Sequence, residues 1–174
     1  PKAPSLDYVK DSGGLFLDLT IHDFDTARYV TGSEVKEVYS KGAINIEPRL
    51  KDYDDIDTAM TLLTMDNGVM CAIDNSRQAL YGYDQRLEVF GSLGSIEAKN
   101  NTPTNTVLRN AEGIHTEKPH HFFIERYKEA YINELQDFFN CIENDLSPRV
   151  GGLDAAKAVC IAKAAKKSLT TNMP

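Results

Sequence analysis

Apolar residues recur with the period of an α-helix in three segments of the chain. The first segment spans residues 12–30 and is followed by Gly32, a suitable C-terminal cap. The second, at 121–144, is long and amphipathic, so one face is predicted to pack on a sheet. That face has helically spaced apolar residues: Phe123, Tyr127, Tyr131, Leu135, Phe138 and Ile142. The third helix is predicted at 155–169, with Asp154 as its N-terminal cap.

Between the first and second helices, the pattern changes to the alternation that is typical of β-strands. Residues 33–42 predict a short strand, and 57–79 contain two β-rich runs joined by Asp66-Asn67-Gly68, a strong hairpin signal. The pattern repeats at 83–100 as a second hairpin, and 105–110 predict one more strand. A run of strands between helices indicates an α+β fold: an open, mostly antiparallel β-sheet with helices packed on one face.

Net charge, cysteine spacing and the length of the apolar runs argue against several classes of protein. The 174 residues include 26 acidic and 19 basic side chains, a formal net charge of -7 that disfavours nucleic acid or an anionic membrane as partner. Three cysteines, Cys71, Cys141 and Cys160, are widely separated and form no CxxC pair, so neither a zinc site nor a disulfide framework is expected. No apolar run approaches the roughly 20 residues that span a bilayer. These features predict a cytoplasmic globular protein.

Two titratable side chains, Asp18 and His22, lie four positions apart on the first predicted helix. Side chains at that spacing are neighbours on an α-helix, so an ionised Asp18 can accept a hydrogen bond from His22 and fix its tautomer. Such a pair suits a base that works near neutral pH. The spacing also fits an ordinary surface ion pair, or two ligands of a divalent metal whose third ligand comes from elsewhere.

The sequence around this pair resembles a known family. Residues 12–32, "SGGLFLDLTIHDFDTARYVTG", are similar to the central signature of the Gfo/Idh/MocA family of NAD(P)-dependent oxidoreductases. The resemblance continues through 57–98, 122–138 and 151–168, so it covers nearly the whole chain. Within the family, "DNSR" followed by "YGYDQR" is most similar to the inositol 2-dehydrogenases. The resemblance implies oxidation of myo-inositol to 2-keto-myo-inositol by hydride transfer to NAD.

The resemblance also implies roles for individual residues. His22 would be the general base, and Asp18 would orient it and bind the substrate. Tyr83 matches a tyrosine that lines the polyol pocket, and Tyr81 lies beside it in the motif. Four further polar residues are expected to make only supporting or subunit contacts: Asn75, Arg77, Gln85 and Arg86. No residue is assigned to a metal.

The dinucleotide-binding signature of the family, GxGxxG, does not occur in this sequence. Residues 1–12 are therefore expected to be a linker from a missing N-terminal dinucleotide-binding domain, which would bind most of the NAD. Residues 13–174 would form the substrate-binding and oligomerisation domain, inactive alone and paired into a homo-oligomer through the open sheet face. The alternatives are a dehydrogenase for a related polyol or sugar, a non-catalytic sensing relative, and a metal-dependent lyase or isomerase.

Overall fold

A computed structural model describes residues 2–174, which divide into two compact units. We call Ala3–Gln78 with Val150–Pro174 the first unit, and Ala79–Arg149 the second unit. In chain order the elements are α1 (Leu6–Ser12), a π-helix (Phe16–Thr20), α2 (Ile21–Thr31), β1 (Val35–Ala43), a 3-10 helix (Pro48–Tyr53), β2 (Thr58–Met65), β3 (Met70–Ser76), β4 (Leu87–Gly91), β5 (Gly94–Ala98), β6 (Val107–Asn110), β7 (Gly113–Thr116), α3 (Phe123–Arg126), α4 (Lys128–Glu143) and α5 (Gly152–Thr171).

The first unit is built on the antiparallel sheet β1-β2-β3. Leu63 at the centre of β2 pairs with Val38 and Cys71. Because side chains alternate along a strand, one face of β2 is buried, and the other face exposes Met60 and Leu62. The buried face joins residues of the helices in one core: Leu15, Phe16, Phe24, Ala27, Val38, Ala59, Leu63, Met65, Ile161, Ala162 and Ala165. This core holds the π-helix and α2 against the sheet and α5.

The α+β class predicted from the sequence is confirmed, and so are β1, the hairpin β2-β3 and the hairpin β4-β5. The strand predicted at 105–110 is present as β6, and it pairs with β7, which was not predicted. Among the described residues the strands form one three-stranded and two two-stranded sheets, in place of a single open sheet. Local alternation identifies strands, but pairing between distant strands depends on contacts that the pattern does not contain.

Helix ends differ from the prediction in two places. The segment read as a linker contains α1, and Ser12 is the last residue of that helix, where it was expected to begin the next one. Gly32 caps α2 in the left-handed conformation, as predicted. At α5 the N-cap is Gly151, and Asp154 lies inside the first turn, where its carboxylate accepts from the Gly151 amide at 3.0 Å.

The second unit contains β4 to β7, α3 and α4. The long amphipathic helix predicted at 121–144 is present but is interrupted at Tyr127, between α3 and α4. Its apolar face was expected to pack on a sheet, and this is wrong for the part of the chain that is described. Four residues of that face remain between 46% and 62% exposed: Tyr131, Leu135, Phe138 and Ile142. An amphipathic pattern identifies a face that is suited to burial, but it does not specify what covers that face.

Arg28 joins distant parts of the first unit. Its guanidinium is 8% exposed and contacts Asp25 at 2.7 Å, Glu34 at 2.9 Å and Asp154 at 3.2 Å. Lys157 on α5 adds a second contact to Glu34 at 2.6 Å. Hydrogen bonds from Arg28 and Lys157 lower the pKa of Glu34 to about 2.

Glu34→Gln is expected to lower stability by about 1 kcal/mol at neutral pH, because this side chain is 43% exposed and solvent screens its ion pairs. A carboxyl whose pKa falls from 4.5 to about 2 on folding stabilises the fold above pH 4.5, and this contribution disappears as the pH falls through 2. The difference between wild type and Glu34→Gln should therefore vanish near pH 2. Thermal unfolding of both proteins across this range measures it, and a difference that is independent of pH would contradict the expectation.

Candidate functional site

Asp18 and His22 are on different kinds of helix. Asp18 is in the π-helix Phe16–Thr20, and His22 is in the first turn of α2. A π-helix has i to i+5 hydrogen bonds, so its wider turn alters the α-helical relation that the sequence predicted for positions four apart. Single π turns within helices often mark functional sites.

The carboxylate of Asp18 is held by two donors. The Tyr8 hydroxyl donates to Oδ1 at 2.6 Å, and the Arg77 guanidinium donates to Oδ2 at 2.7 Å. The hydrogen bond to Asp18, with some burial, raises the pKa of Tyr8. Both oxygens of Asp18 are thereby fixed in direction on a side chain that is only 11% exposed.

His22 is exposed. The predicted hydrogen bond between Asp18 and His22 is not found, because Asp18 bonds to Tyr8 and Arg77, and no described residue bonds to the imidazole. Further along α2, Asp25 pairs with Arg28 and Tyr29 is exposed. The two candidate residues are thus close in sequence, and of the two only the Asp18 side chain is bonded to described residues.

Asp55 is a residue of this site that the sequence did not identify, whereas Arg77 was identified only as a candidate for a supporting or subunit contact. The structure shows a supporting contact of Arg77, which is 1% exposed and bridges Asp18 to Asp55. Asp55 also accepts from the Leu15 amide at 2.8 Å, directly before the π-helix. Tyr8, in the segment read as a linker, lies on α1. No local periodicity could have found these contacts, because they join residues 10 to 59 positions apart.

Asn75 makes the supporting contact that was expected of it. Its Oδ1 accepts from the Thr20 hydroxyl at 2.9 Å, and its Nδ2 donates to Asp23 at 2.8 Å. Thr20 is fully buried at the junction of the π-helix and α2. Asn75 therefore connects β3 to the junction of the π-helix and α2 through two hydrogen bonds.

Tyr81 and Tyr83 belong to the second unit. Both precede β4, which begins at Leu87, so they do not share a strand face. The Tyr83 ring contacts Tyr127 edge-on at 5.7 Å between centroids, and the Tyr81 hydroxyl donates to Asp84. Their role in substrate binding stays a prediction.

A cavity of about 340 Å³ in the first unit lies beside Gly14, Asp55 and Lys166. Of the described residues that line it, none is Asp18 or His22. No group of three or more His, Cys, Asp or Glu side chains within residues 2–174 is arranged to hold a metal ion.

The described residues do not fit a dinucleotide. In residues 2–174, no strand leads through a glycine-rich turn into a helix, which is the arrangement that binds a pyrophosphate. Residues 91–94 form the turn between β4 and β5, as the sequence predicted.

None of the helices in the described part of the chain combines the length and the apolar character needed to cross a membrane.

Comparison with known proteins shows what this chain is similar to. Its sequence is 51% identical over 174 residues to the uncharacterized oxidoreductase YrbE of Bacillus subtilis (strain 168), covering 100% of this chain and 51% of that protein. It is 46% identical over 169 residues to myo-inositol 2-dehydrogenase of Thermotoga maritima, covering 97% of this chain and 51% of that protein. The crystal structure of scyllo-inositol dehydrogenase from Lactobacillus casei with bound NAD(H) and scyllo-inositol aligns with a TM-score of 0.86 and 29% identity, covering 94% and 48% of the two chains.

The chain spans about half the length of the curated relatives it matches. The family model of the GFO/IDH/MocA C-terminal domain matches residues 1–97. This match and the similarity along the remainder of the chain agree with the resemblance in residues 12–32. The chain belongs to the GFO/IDH/MocA C-terminal domain family.

Proposed function

We propose that this chain is the substrate-binding part of an NAD-dependent inositol 2-dehydrogenase, which oxidises myo-inositol to 2-keto-myo-inositol. The observation that supports it best is the fixed Asp18 carboxylate on a π turn beside the exposed His22. Relatives that are named as inositol dehydrogenases support the substrate class. A dinucleotide-binding part outside the sequence described would hold the NAD, since the residues present do not fit it.

The proposed reaction requires that a secondary alcohol lose two hydrogens. The proton of the C2 hydroxyl goes to the imidazole of His22, and the hydrogen on C2 leaves with its electron pair as a carbonyl forms. When bound, NAD supplies the nicotinamide that accepts this hydride. An alcohol is a weak acid, so a positioned base is needed, and an exposed imidazole that bonds to no described residue is available to accept the proton.

Asp18 is proposed to bind the substrate. Each carboxylate oxygen has two acceptor sites, and one on each is occupied by Tyr8 or Arg77. The remaining sites can accept from the hydroxyls of a polyol and hold the ring beside His22. This role needs no direct bond between Asp18 and His22.

Further substrate contacts, a homo-oligomer and a cytoplasmic location are also proposed. Tyr83 and Tyr81 are also proposed to bind the polyol. A homo-oligomer would form through the outer face of β1-β2-β3, where Met60, Leu62 and Met70 are exposed. Three free cysteines are consistent with a cytoplasmic protein.

The test is oxidation of a panel of polyols by the full-length protein. We expect formation of reduced nicotinamide with NAD and myo-inositol, and slower formation with glucose. A preference for scyllo-inositol would keep the reaction and change the substrate. Absence of turnover with every polyol, or turnover that needs an added divalent metal and no nicotinamide, would contradict the proposal.

A further inference from the structure

Arg77 has an unusual position for a residue that follows a strand. It comes directly after β3, and its amide donates to the Asp57 carbonyl at 2.8 Å. Its side chain turns inward, where Nε donates to the Ile56 carbonyl at 3.3 Å and the two terminal nitrogens donate to Asp18 at 2.7 Å and Asp55 at 2.9 Å. One rigid guanidinium fork therefore connects Asp18 with the adjacent residues Asp55 and Ile56, which are distant from it in sequence.

Asp55 extends this arrangement to the start of the π-helix. One of its oxygens binds Arg77, and the other accepts from the Leu15 amide at 2.8 Å. A Cβ on Gly14 would lie 2.9 Å from that second oxygen, so the backbone here passes close to the carboxylate. Arg77 and Asp55 together hold both the entrance of the π-helix and the carboxylate in its middle. We call this pair the buried clamp.

We infer that Arg77 is a positioning residue for Asp18, acting through the buried clamp to hold the carboxylate where a polyol hydroxyl meets it. This inference rests on the proposed function. The contacts to Asp55 and Ile56 connect β3 to its neighbouring loop. The third contact joins this loop to Asp18, the carboxylate that is proposed to bind the substrate.

Arg28 provides a matched comparison within the same unit. Its side chain is also largely buried, at 8% exposure, and contacts three carboxylates, on Asp25, Glu34 and Asp154. None of these is proposed to touch substrate. If the ion pairs of Arg28 are disturbed, only the stability of the protein should change. If those of Arg77 are disturbed, the rate of polyol oxidation should change as well.

The test uses the full-length protein with Arg77→Lys and Arg28→Lys. A lysine keeps the charge but lacks the fork, so it cannot hold Asp18 and Asp55 together in the same geometry. We expect Arg77→Lys to lower kcat for polyol oxidation by about 10- to 100-fold per folded molecule. A shift of the Asp18 carboxylate by a fraction of an ångström misplaces the bound polyol, and small misplacements of this kind slow a reaction by such factors. Arg28→Lys should lower the melting temperature and keep the wild-type kcat. An unchanged kcat in folded Arg77→Lys would overturn the inference.

A double variant separates positioning from general damage. If Arg77 acts through Asp18, then Arg77→Lys should have little further effect on kcat in an Asp18→Asn background. An equal loss of kcat in both backgrounds would overturn the inference. Asp55→Asn, which keeps the acceptor for Leu15, replaces Arg77→Lys in this comparison if the latter does not fold.

Hydrogen–deuterium exchange distinguishes failure of the inference from failure of the proposed function. Arg77→Lys should speed exchange in residues 15–20, and Arg28→Lys should not. If the wild-type protein oxidises no polyol, the proposed function fails, and faster exchange still supports the clamp. Unchanged exchange in Arg77→Lys would overturn the clamp whatever the activity.

Discussion

His22→Ala in the full-length protein is expected to lower kcat/KM for polyol oxidation by about 10²- to 10⁴-fold, the contribution of a positioned general base. The imidazole is exposed and bonds to no described residue, so its removal leaves no buried group unsatisfied. Stability and the affinity for NAD should stay at their wild-type values. Steady-state kinetics with varied polyol, together with titration of NAD binding, measures both quantities.

His115→Ala is the matched control for this experiment. His115 is exposed on β7 in the second unit and has no proposed role. Its removal should leave kcat/KM unchanged. Equal kinetics for wild type and His22→Ala would exclude His22 as the base, and a large loss of NAD affinity would indicate that it contacts the cofactor instead.

The elements that the sequence predicts best are those that local chemistry determines. The turn Asp66-Asn67-Gly68 joins two alternating runs, and the structure has the hairpin β2-β3 there. The alanine-rich segment at 155–169 forms most of α5, since alanine costs no side-chain entropy in a helix and allows close packing. In each case the information lies within a few residues of the element.

The candidate site depends on contacts between residues that are far apart in the sequence. The position of Asp18 on a helical element could be predicted, because the apolar period around it is local. Its partners could not, because Tyr8 was read as part of a linker and Arg77 was expected only to make some supporting or subunit contact. A buried ion pair between residues 59 positions apart exists only once β3 and the π-helix are packed together. The resemblance to the family identified Asp18 as a site residue. Its contacts with Tyr8 and Arg77 became known only from the fold.

Arg77→Met is expected to lower the free energy of unfolding of the chain by about 3–5 kcal/mol, the cost of removing one partner from a buried ion pair. Methionine is similar in length to the arginine stem, so little volume is lost. What is lost is the cation that pairs with two carboxylates, Asp18 and Asp55, whose side chains are 11% and 6% exposed. Chemical denaturation of the wild-type and variant chains, followed by circular dichroism, measures the difference.

Arg49→Met tests whether burial causes this effect. Arg49 pairs with Glu47 at 2.7 Å, a distance equal to that between Arg77 and Asp18, but its side chain is 67% exposed. Its loss should lower stability far less than the loss of Arg77 does, because solvent replaces the missing partner. Asp55→Asn added to Arg77→Met should recover part of the lost stability, since it removes one unpaired buried charge and keeps the acceptor for the Leu15 amide. A similar cost at Arg49 and Arg77, or further loss in the double variant, would mean that the two carboxylates are not held by the charge of Arg77.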